Sequence, residues 1–251
     1  MLSQLEWHNR YLQQARWTST VRRFLFQKVS ISNAQAVLEV GCGSGAILAD
    51  LKAYTPAAAF GIDIDFPMLA FAHAHAKDRD YRLACADGLQ LPFPEHTFTI
   101  SFCHFYMLWV PDPLQAILEM ARVTRPDGYI LAMAEPDYGG RIDYPDGLTA
   151  LGRLQSEALL SQGANPFAGR KLKALFHQAG LHNIQAGVLG GQWDAAPDAG
   201  FQESEWKTLV SDLSSLVRPE EMSRFKSLDD AAWQNGERIL YVPTFYAWGQ
   251  V

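Results

Sequence analysis

The sequence has few cysteines, no long apolar run and no concentration of positive charge. Its three cysteines are an odd number and form no C-x-x-C pair, so neither a disulfide framework nor a structural zinc site is expected. No stretch reaches the apolar length that crosses a bilayer. Residues 1–11 contain an early glutamate where a secretory signal has an apolar run. We therefore expect a cytoplasmic protein that does not associate with membranes.

The charge balance is acidic. The 21 Lys and Arg residues oppose 27 Asp and Glu residues, which gives a net charge of −6. The longest basic run is Arg22-Arg23, and binding to a nucleic-acid backbone requires more concentrated positive charge. Nucleic acid is therefore not expected as a partner, while the oligomeric state stays open.

The hydrophobic pattern predicts helices first and an α/β core after them. Residues 3–28 carry apolar side chains at helical spacing, with a restart at Thr18-Ser19. Five strands are then predicted to alternate with helices, and the fifth follows a turn at residues 126–128: AVLEV, AAFGID, YRLAC, FTISFCHFY and YILAMAE. This alternation implies a Rossmann-like, mostly parallel sheet with helices on both faces.

The rhythm changes after Glu135. Helical patterns appear at 148–162 and 168–179 and twice within 200–235, a strand is predicted in NIQAGVLGG, and the chain closes on the β-rich run RILYVPTFYAWGQV. We expect one domain over residues 1–251 with four parts: a helical lid (1–30), a cofactor-binding core (36–135), a cap and substrate region (136–236) and a closing strand (237–251).

The most informative motif is Glu39-Val-Gly41-Cys-Gly43-Ser-Gly45, between the first strand and the first core helix. Glycines there let the backbone turn sharply and approach a ligand without a Cβ in the way. Asp63 ends the second strand, at the distance where an acid accepts ribose hydroxyls. Asp87 ends the third strand, where a carboxylate accepts from a purine amine. Together these residues predict a nucleotide-like cofactor.

Two cofactor classes are compatible with the glycine motif. Gly41, Gly43 and Ala46 satisfy the letters of a dinucleotide fingerprint, which would make the protein an NAD-dependent oxidoreductase. Against this, the acid two positions before Gly41 suits a ligand that ends in an amine. A non-catalytic relative that serves as an interaction module is a third alternative, although packing alone does not require the glycines and both acids.

The segments VLEVGCGSG, GIDID, CADGLQLPF and ILEMARVTRPDGYI, in this order, resemble the motifs of class I S-adenosylmethionine-dependent methyltransferases, especially those that act on small molecules. The resemblance covers about residues 36–135. It implies a seven-stranded sheet with an antiparallel last strand and methyl transfer to oxygen, nitrogen or carbon of a small organic acceptor. By position, the cofactor-binding residues that it implies are Glu39, Gly41, Gly43, Asp63, Ile64, Asp87, Gly88 and Leu89, with Tyr11 and Trp17 as contacts from the lid. Cys42 and Cys103 are further candidates for the cofactor site.

Three departures from the family pattern are present, of which the first is structurally mild and the other two concern the acceptor. The Pro-Gly-Gly turn is Pro126-Asp127-Gly128 here, and the Asn/Asp-Pro-Pro-Tyr tetrad of adenine and glutamine methylases is absent after strand four. A long insertion separates Gln192 from Leu240, and we expect it to cover the active site. The acceptor is therefore not expected to be adenine or glutamine.

Catalytic and substrate residues are predicted at the carboxyl ends of strands four and five. His104 is the first candidate for a general base and Glu135 the second. The candidate substrate residues are Tyr106, Trp109, Asp137, Tyr138 and Arg141. His73 and His75 are two apart on a helix and point in different directions, so no metal site is expected.

Overall fold

The computed structural model describes residues 3–75, 81–190 and 199–251. Its α-helices are α1 (Gln4–Trp17), α2 (Ser19–Lys28), α3 (Ala46–Leu51), α4 (Phe66–His75), α5 (Pro113–Val123), α6 (Ala150–Ser161), α7 (Leu172–Gln178), α8 (Ala199–Leu213) and α9 (Pro219–Gln234). Its strands are β1 (Ala36–Val40), β2 (Ala58–Asp63), β3 (Tyr81–Cys85), β4 (Phe98–Cys103), β5 (Thr124–Pro136), β6 (Ile142–Tyr144), β7 (His182–Val188), β8 (Ile239–Tyr241) and β9 (Thr244–Gln250). Gln192 lies outside the described residues.

Seven strands form one sheet in the order β3-β2-β1-β4-β5-β9-β7. Strands β1 to β5 pair in parallel, and β9 runs antiparallel to both β5 and β7. The Rossmann-like fold with an antiparallel last strand is thus confirmed. Because the parallel strands point the same way, the residues that follow them meet at one edge of the sheet.

Apolar side chains cover both faces of the sheet because successive strand residues point to opposite sides. Val37 packs with Leu25 and Phe26 on the side of α2. Its neighbour Leu38 packs with Ile117 and Met120 of α5 on the other side. The strands are therefore rigid supports for the loops at their ends.

The predicted turn at residues 126–128 is part of β5 instead of a boundary before it. Thr124 is opposite Phe98 and Tyr129 is opposite Ile100, so the residues between them form a bulge in the strand. Asp127, inside this bulge, has a φ of 61°. Because β5 pairs with β4 both before and after these residues, the strand begins before the turn that the residue types indicate.

Helices α6, α8 and α9 form a smaller cap with its own apolar cluster. Leu151, Leu213 and Phe225 come together there from segments that are far apart in the chain. A two-stranded sheet of β6 and β8 joins the base of the cap. Within the described residues, no helix combines the length and apolar character that a membrane crossing requires.

Candidate functional site

A cleft of about 640 Å³ lies at the carboxyl edge of the parallel strands. The loops after β1, β2, β3 and β4 form its floor, and helices α1, α6 and α8 enclose it from above. Open α/β sheets bind their ligands at this edge, because the strand order reverses there and leaves a crevice. The cleft is therefore the candidate active site.

The glycine loop between β1 and α3 needs its glycines for backbone geometry. Gly41, Gly43 and Gly45 have φ angles of 73°, 50° and 73°, which only glycine adopts without strain. A Cβ on Gly41 would lie 2.4 Å from Cδ2 of Tyr106, so the tyrosine ring packs directly on the loop. Cys42 lines the cleft beside them, and burial raises the pKa of its thiol well above the ordinary value.

Glu39 is a buried carboxylate at the wall of the cleft. Its side chain lines the cavity, and its Oε2 atom has no hydrogen-bond partner among the described residues. Burial raises the pKa of this carboxyl well above its ordinary value, while the nearby Arg22 charge opposes the rise. A buried acceptor without a partner is costly, so this atom suits a ligand that brings a donor, such as an ammonium group.

Asp63 ends β2 with its carboxylate held in place by the backbone. The Gly43 N–H donates to Oδ2 at 2.7 Å and the Asp65 N–H donates to Oδ1 at 2.9 Å. A carboxylate has about four lone-pair sites, so it can still accept from a ligand. Ile64 follows at the mouth of the cleft with 73% of its surface exposed.

The loop after β3 brings a second carboxylate to the cleft. Asp87 and Gly88 line the cavity, and the Leu89 N–H donates to Asp87 Oδ1 at 2.9 Å. A Cβ on Gly88 would lie 2.2 Å from the Tyr106 hydroxyl, so this loop also packs against the tyrosine. The Leu89 side chain packs into the core beneath the sheet instead of lining the cleft.

Helix α1 covers the glycine loop. His8 Nδ1 lies 2.8 Å from Ser44 Oγ in that loop. The Tyr11 ring stands over Gly43 and lines the cleft, and burial raises the pKa of Tyr11 to about 12. Trp17 lies outside the cleft, where the Arg10 guanidinium packs over its ring at 4.6 Å.

His104 lines the cleft in its neutral form. Its Nε2 lies 2.8 Å from Thr18 Oγ1, and the Thr18 hydroxyl donates to the Gln14 carbonyl at 2.9 Å. The network therefore assigns the hydrogen to Nε2 and leaves Nδ1 as an acceptor. Burial, with the Arg22 charge, lowers the pKa of His104 to about 3. A base of such low pKa is a weak proton acceptor.

The surroundings of Glu135 indicate a structural role. It is fully buried outside the cleft, and the Tyr106 and Met107 N–H groups donate to its two oxygens at 3.2 and 2.9 Å. The buried Cys103 thiol also donates to it at 3.5 Å. Burial raises the pKa of Glu135 to about 8. Its contacts hold the loop that carries Tyr106.

The five candidate substrate residues are divided between the cleft and the cap. Tyr106, Trp109 and Tyr138 line the cleft. Asp137 instead is buried outside the cleft lining and accepts from Arg170 Nε at 2.5 Å. Arg141 is buried and donates to Asp143 at 2.7 Å. These two residues were predicted only because they lie in the loop after strand five. In the structure each forms an ion pair within the chain.

A family model described as a methyltransferase domain matches residues 38–132. A demethylmenaquinone methyltransferase of Bacillus licheniformis is 30% identical over 176 residues, which covers 63% of this chain and 75% of that protein. The chain belongs to the class I S-adenosylmethionine-dependent methyltransferases.

One further curated relative and one solved structure are also similar to this methyltransferase. An uncharacterised methyltransferase of Schizosaccharomyces pombe is 30% identical over 156 residues, covering 57% of this chain and 55% of that protein. The chain therefore matches about half the length of that relative. A methyltransferase in complex with the Haloferax volcanii Trm112 activator superposes with a TM-score of 0.63 at 17% identity, covering 98% of this chain and 95% of that chain. At this identity the likeness shows the fold alone.

The lining of the methyltransferase cleft fits S-adenosylmethionine. The buried Glu39 oxygen without a partner suits the amino group of the methionine moiety, and Gly41 and Gly43 line the cleft with no side chain between their backbone and a ligand. Among residues 3–75, 81–190 and 199–251, no three His, Cys, Asp or Glu side chains are grouped so as to hold a metal ion.

Sequence reasoning missed three charged residues of this methyltransferase. Arg22 is buried beneath the cleft, donates to Asp50 Oδ2 at 2.7 Å, and places its charge beside Glu39 and His104. Its position on the same helical face as Leu25 and Phe26 is a signal that could have revealed its burial. Arg10 and Asp212 line the cleft from α1 and α8, and no local pattern marks either of them.

Proposed function

We propose that the protein transfers the methyl group of S-adenosylmethionine to an oxygen, nitrogen or carbon atom of a small organic molecule. The observation that carries this proposal is the cleft in which the unpartnered Glu39 oxygen, the glycine loop and two strand-end carboxylates converge. The relatives named as demethylmenaquinone methyltransferases support an organic acceptor of small size. The acidic charge of the chain supports an acceptor other than nucleic acid.

Each wall of the cleft has a role toward the cofactor in this proposal. Glu39 binds the amino group, Asp63 with Ile64 binds the ribose, and Asp87 with Gly88 binds the adenine. Leu89 and Cys103 support these loops from the core, while Gly41, Cys42 and Gly43 contact the methionine moiety. Tyr11 closes the cleft from α1, which we propose to act as part of the lid over residues 1–30.

When bound, the cofactor supplies a methyl group on a positively charged sulfur that is already reactive. The chain therefore mainly aligns the acceptor and excludes water, and alignment contributes about 7–11 kcal/mol in favourable models. Of the two predicted bases, we favour His104 over Glu135 because only His104 lines the cleft. Because the pKa of His104 is low, we expect it to contribute only modestly to the rate of methyl transfer.

The organisation and location follow the same proposal. Residues 1–251 act as one domain, in which the core at 36–135 binds the cofactor, the cap at 136–236 selects the acceptor, and 237–251 completes the sheet. One part of the cap range, β7, also belongs to that sheet. The free state of Cys42, Cys85 and Cys103 supports the reducing cytoplasm as the location.

Calorimetry and thermal unfolding with S-adenosylhomocysteine and NAD test the proposal. We expect S-adenosylhomocysteine to bind and, at about a hundred times its Kd, to stabilise the fold by about 2.7 kcal/mol, while NAD has no effect. Stabilisation by NAD alone would support an oxidoreductase. Absence of binding by both compounds would support an interaction module and reject methyl transfer.

A further inference from the structure

The end of the cleft away from the cofactor loops contains polar groups that the proposed cofactor does not use. Asp212 of α8, Gln162 after α6, Tyr138 after β5 and Arg10 of α1 line this end. They come from four segments of the chain and lie together, since Arg10 and Gln162 both act on Asp212, and Arg10 and Asp212 both act on Tyr138. This end of the cleft is hereafter called the acceptor end.

Asp212 is a carboxylate without a cation. Gln155 Nε2 donates to its Oδ2 at 2.9 Å, and the Gln162 side chain is its other donor. In the described part of the chain, no Lys or Arg nitrogen lies within 4.0 Å of this carboxylate. Burial raises its pKa, and the Arg10 charge only partly offsets that rise. Neutral amides orient Asp212 but do not neutralise it.

The other charge at the acceptor end is already matched. Arg10 forms an ion pair with Glu205, donates to Gln13 Oε1 at 3.1 Å, and packs over the Trp17 ring. The Tyr138 side chain also lines the cavity, and among the described residues its hydroxyl has no side-chain hydrogen-bond partner. Arg10 therefore cannot supply the missing cation without giving up Glu205.

The charged residues that line the whole cleft also favour a cationic acceptor. Among the described lining residues of the cleft are one guanidinium, that of Arg10, and, besides the buried Glu39, four carboxylates: Asp63, Asp65, Asp87 and Asp212. This surplus disfavours an anionic acceptor and favours a cation. Aromatic rings, whose faces attract cations, complete the wall: Trp7, Tyr11, Phe105, Tyr106 and Trp109.

We propose that the methyl acceptor carries a basic amine, and that Asp212 binds this amine at the acceptor end, beside the Tyr138 hydroxyl. The inference rests on the proposed methyl transfer. It concerns the group by which the acceptor is recognised, whichever of its atoms receives the methyl group. A bound ammonium supplies the charge that Gln155 and Gln162 lack, and it replaces water at a carboxylate that is already partly desolvated.

Three probes of one shape and different charge test this proposal. Tyramine, 4-ethylphenol and 4-hydroxyphenylacetate share a phenol ring and carry a cation, no charge and an anion. Each is titrated by calorimetry into the full chain saturated with S-adenosylhomocysteine. We expect tyramine to bind at least tenfold more tightly than either of the others. Equal affinities, tighter binding of the anion, or no binding by tyramine overturns the proposal.

A matched pair of variants on α8 assigns the preference to one residue. Asp212→Asn keeps the shape and one oxygen that can accept from Gln155 while removing the charge, and we expect it to abolish the tyramine preference. Glu203→Gln makes the same change at an exposed position outside the cleft and should retain it. A preference that survives Asp212→Asn contradicts the proposal.

The affinity for S-adenosylhomocysteine is measured on the wild type, Asp212→Asn and Glu203→Gln. It distinguishes failure of the role of Asp212 from failure of the proposed methyl transfer. Normal cofactor affinity without an amine preference rejects only the role of Asp212. Absence of S-adenosylhomocysteine binding by the wild-type protein rejects the proposed methyl transfer itself. Equal cofactor affinity in Asp212→Asn and the wild type shows that the variant is folded.

Discussion

The two ends of the cleft are built in different ways. At the cofactor end, backbone N–H groups next to strand ends hold the carboxylates, as Gly43 and Asp65 hold Asp63. At the acceptor end, side chains far apart in sequence hold one another, as Gln155 holds Asp212 across 57 positions. The first design depends on local chain geometry, whereas the second depends on the packing of the cap.

The cap achieves this packing with a buried ionic network. Asp143 accepts from Arg141 at 2.7 Å and from Arg238 at 2.7 Å, and Arg238 also donates to Asp229 at 2.6 Å. The side chains of Arg238 and Asp143 are each only 1% exposed. Removing one member of such a network leaves buried charges without partners, so we expect the cap to be more sensitive to substitution than the cofactor loops.

The largest effect is expected for Arg238→Met. It leaves Asp229 without its ion pair and Asp143 with only one, which should lower the free energy of unfolding by about 3–5 kcal/mol. Urea unfolding measures the loss. Arg153→Met is the control, because the exposed Arg153–Glu157 pair should contribute at most about 1 kcal/mol. Similar losses in both variants would show that the network does not stabilise the cap.

The next effect concerns the cofactor end. Asp63→Ala should weaken S-adenosylhomocysteine binding by about 10- to 100-fold, which corresponds to roughly 1.5–3 kcal/mol for hydrogen bonds to a charged group. Calorimetry measures the affinity. Glu157→Ala, at an exposed position on α6, should bind as the wild type does. Unchanged affinity in Asp63→Ala would remove the ribose role from this residue.

A smaller effect should appear in the pH dependence of stability. The pKa of His104 is about 3 in the folded protein, against an ordinary value of 6.5. Below pH 6.5 the unfolded chain therefore takes up a proton that the folded protein refuses. This residue should lower stability by about 1.4 kcal/mol for each pH unit of acidification towards its folded pKa.

His104→Gln removes that contribution. Urea unfolding at pH 7.5, 6.5 and 5.5 should show a shallower decline for this variant than for the wild type. His177→Gln, at an exposed position of α7, should decline as the wild type does. Parallel curves for His104→Gln and the wild type would show that the imidazole is not desolvated.

The smallest effect is expected at Trp17. Because this ring stacks on Arg10 outside the cleft, Trp17→Ala should change the S-adenosylhomocysteine Kd by less than about twofold, and stability by about 0.5–1 kcal/mol. Tyr11→Ala, which removes a ring over Gly43, should weaken binding more. The reverse order would place Trp17, instead of Tyr11, over the cofactor.

The contrast between the two ends also explains what could be predicted from the sequence. Strand periodicity and glycine spacing indicated the sheet and the shared cleft of Glu39, Asp63 and Asp87, because each residue lies within or just after the strand that positions it. Their ligand contacts remain predictions. The position of Asp137 after β5 correctly indicated a strand end, but its partner Arg170 is 33 residues away.

Long-range partners account for most of what was missed. Arg10 pairs with Glu205 at a separation of 195 residues, and nothing near either position signals the pairing. The burial of His104 under Thr18 depends on the docking of α1 and α2 on the sheet. A histidine at a strand end suggests a base near neutral pH, whereas this docking removes the water that its cation would need.

The surplus of carboxylates around the cleft also affects how long each ligand stays. Methyl transfer converts a positively charged sulfonium into an uncharged thioether. Walls that are net negative attract the sulfonium by Coulomb forces that the thioether does not experience. We therefore expect the spent cofactor to bind less tightly than the donor, so that the same charges would favour both its release and its exchange for fresh donor.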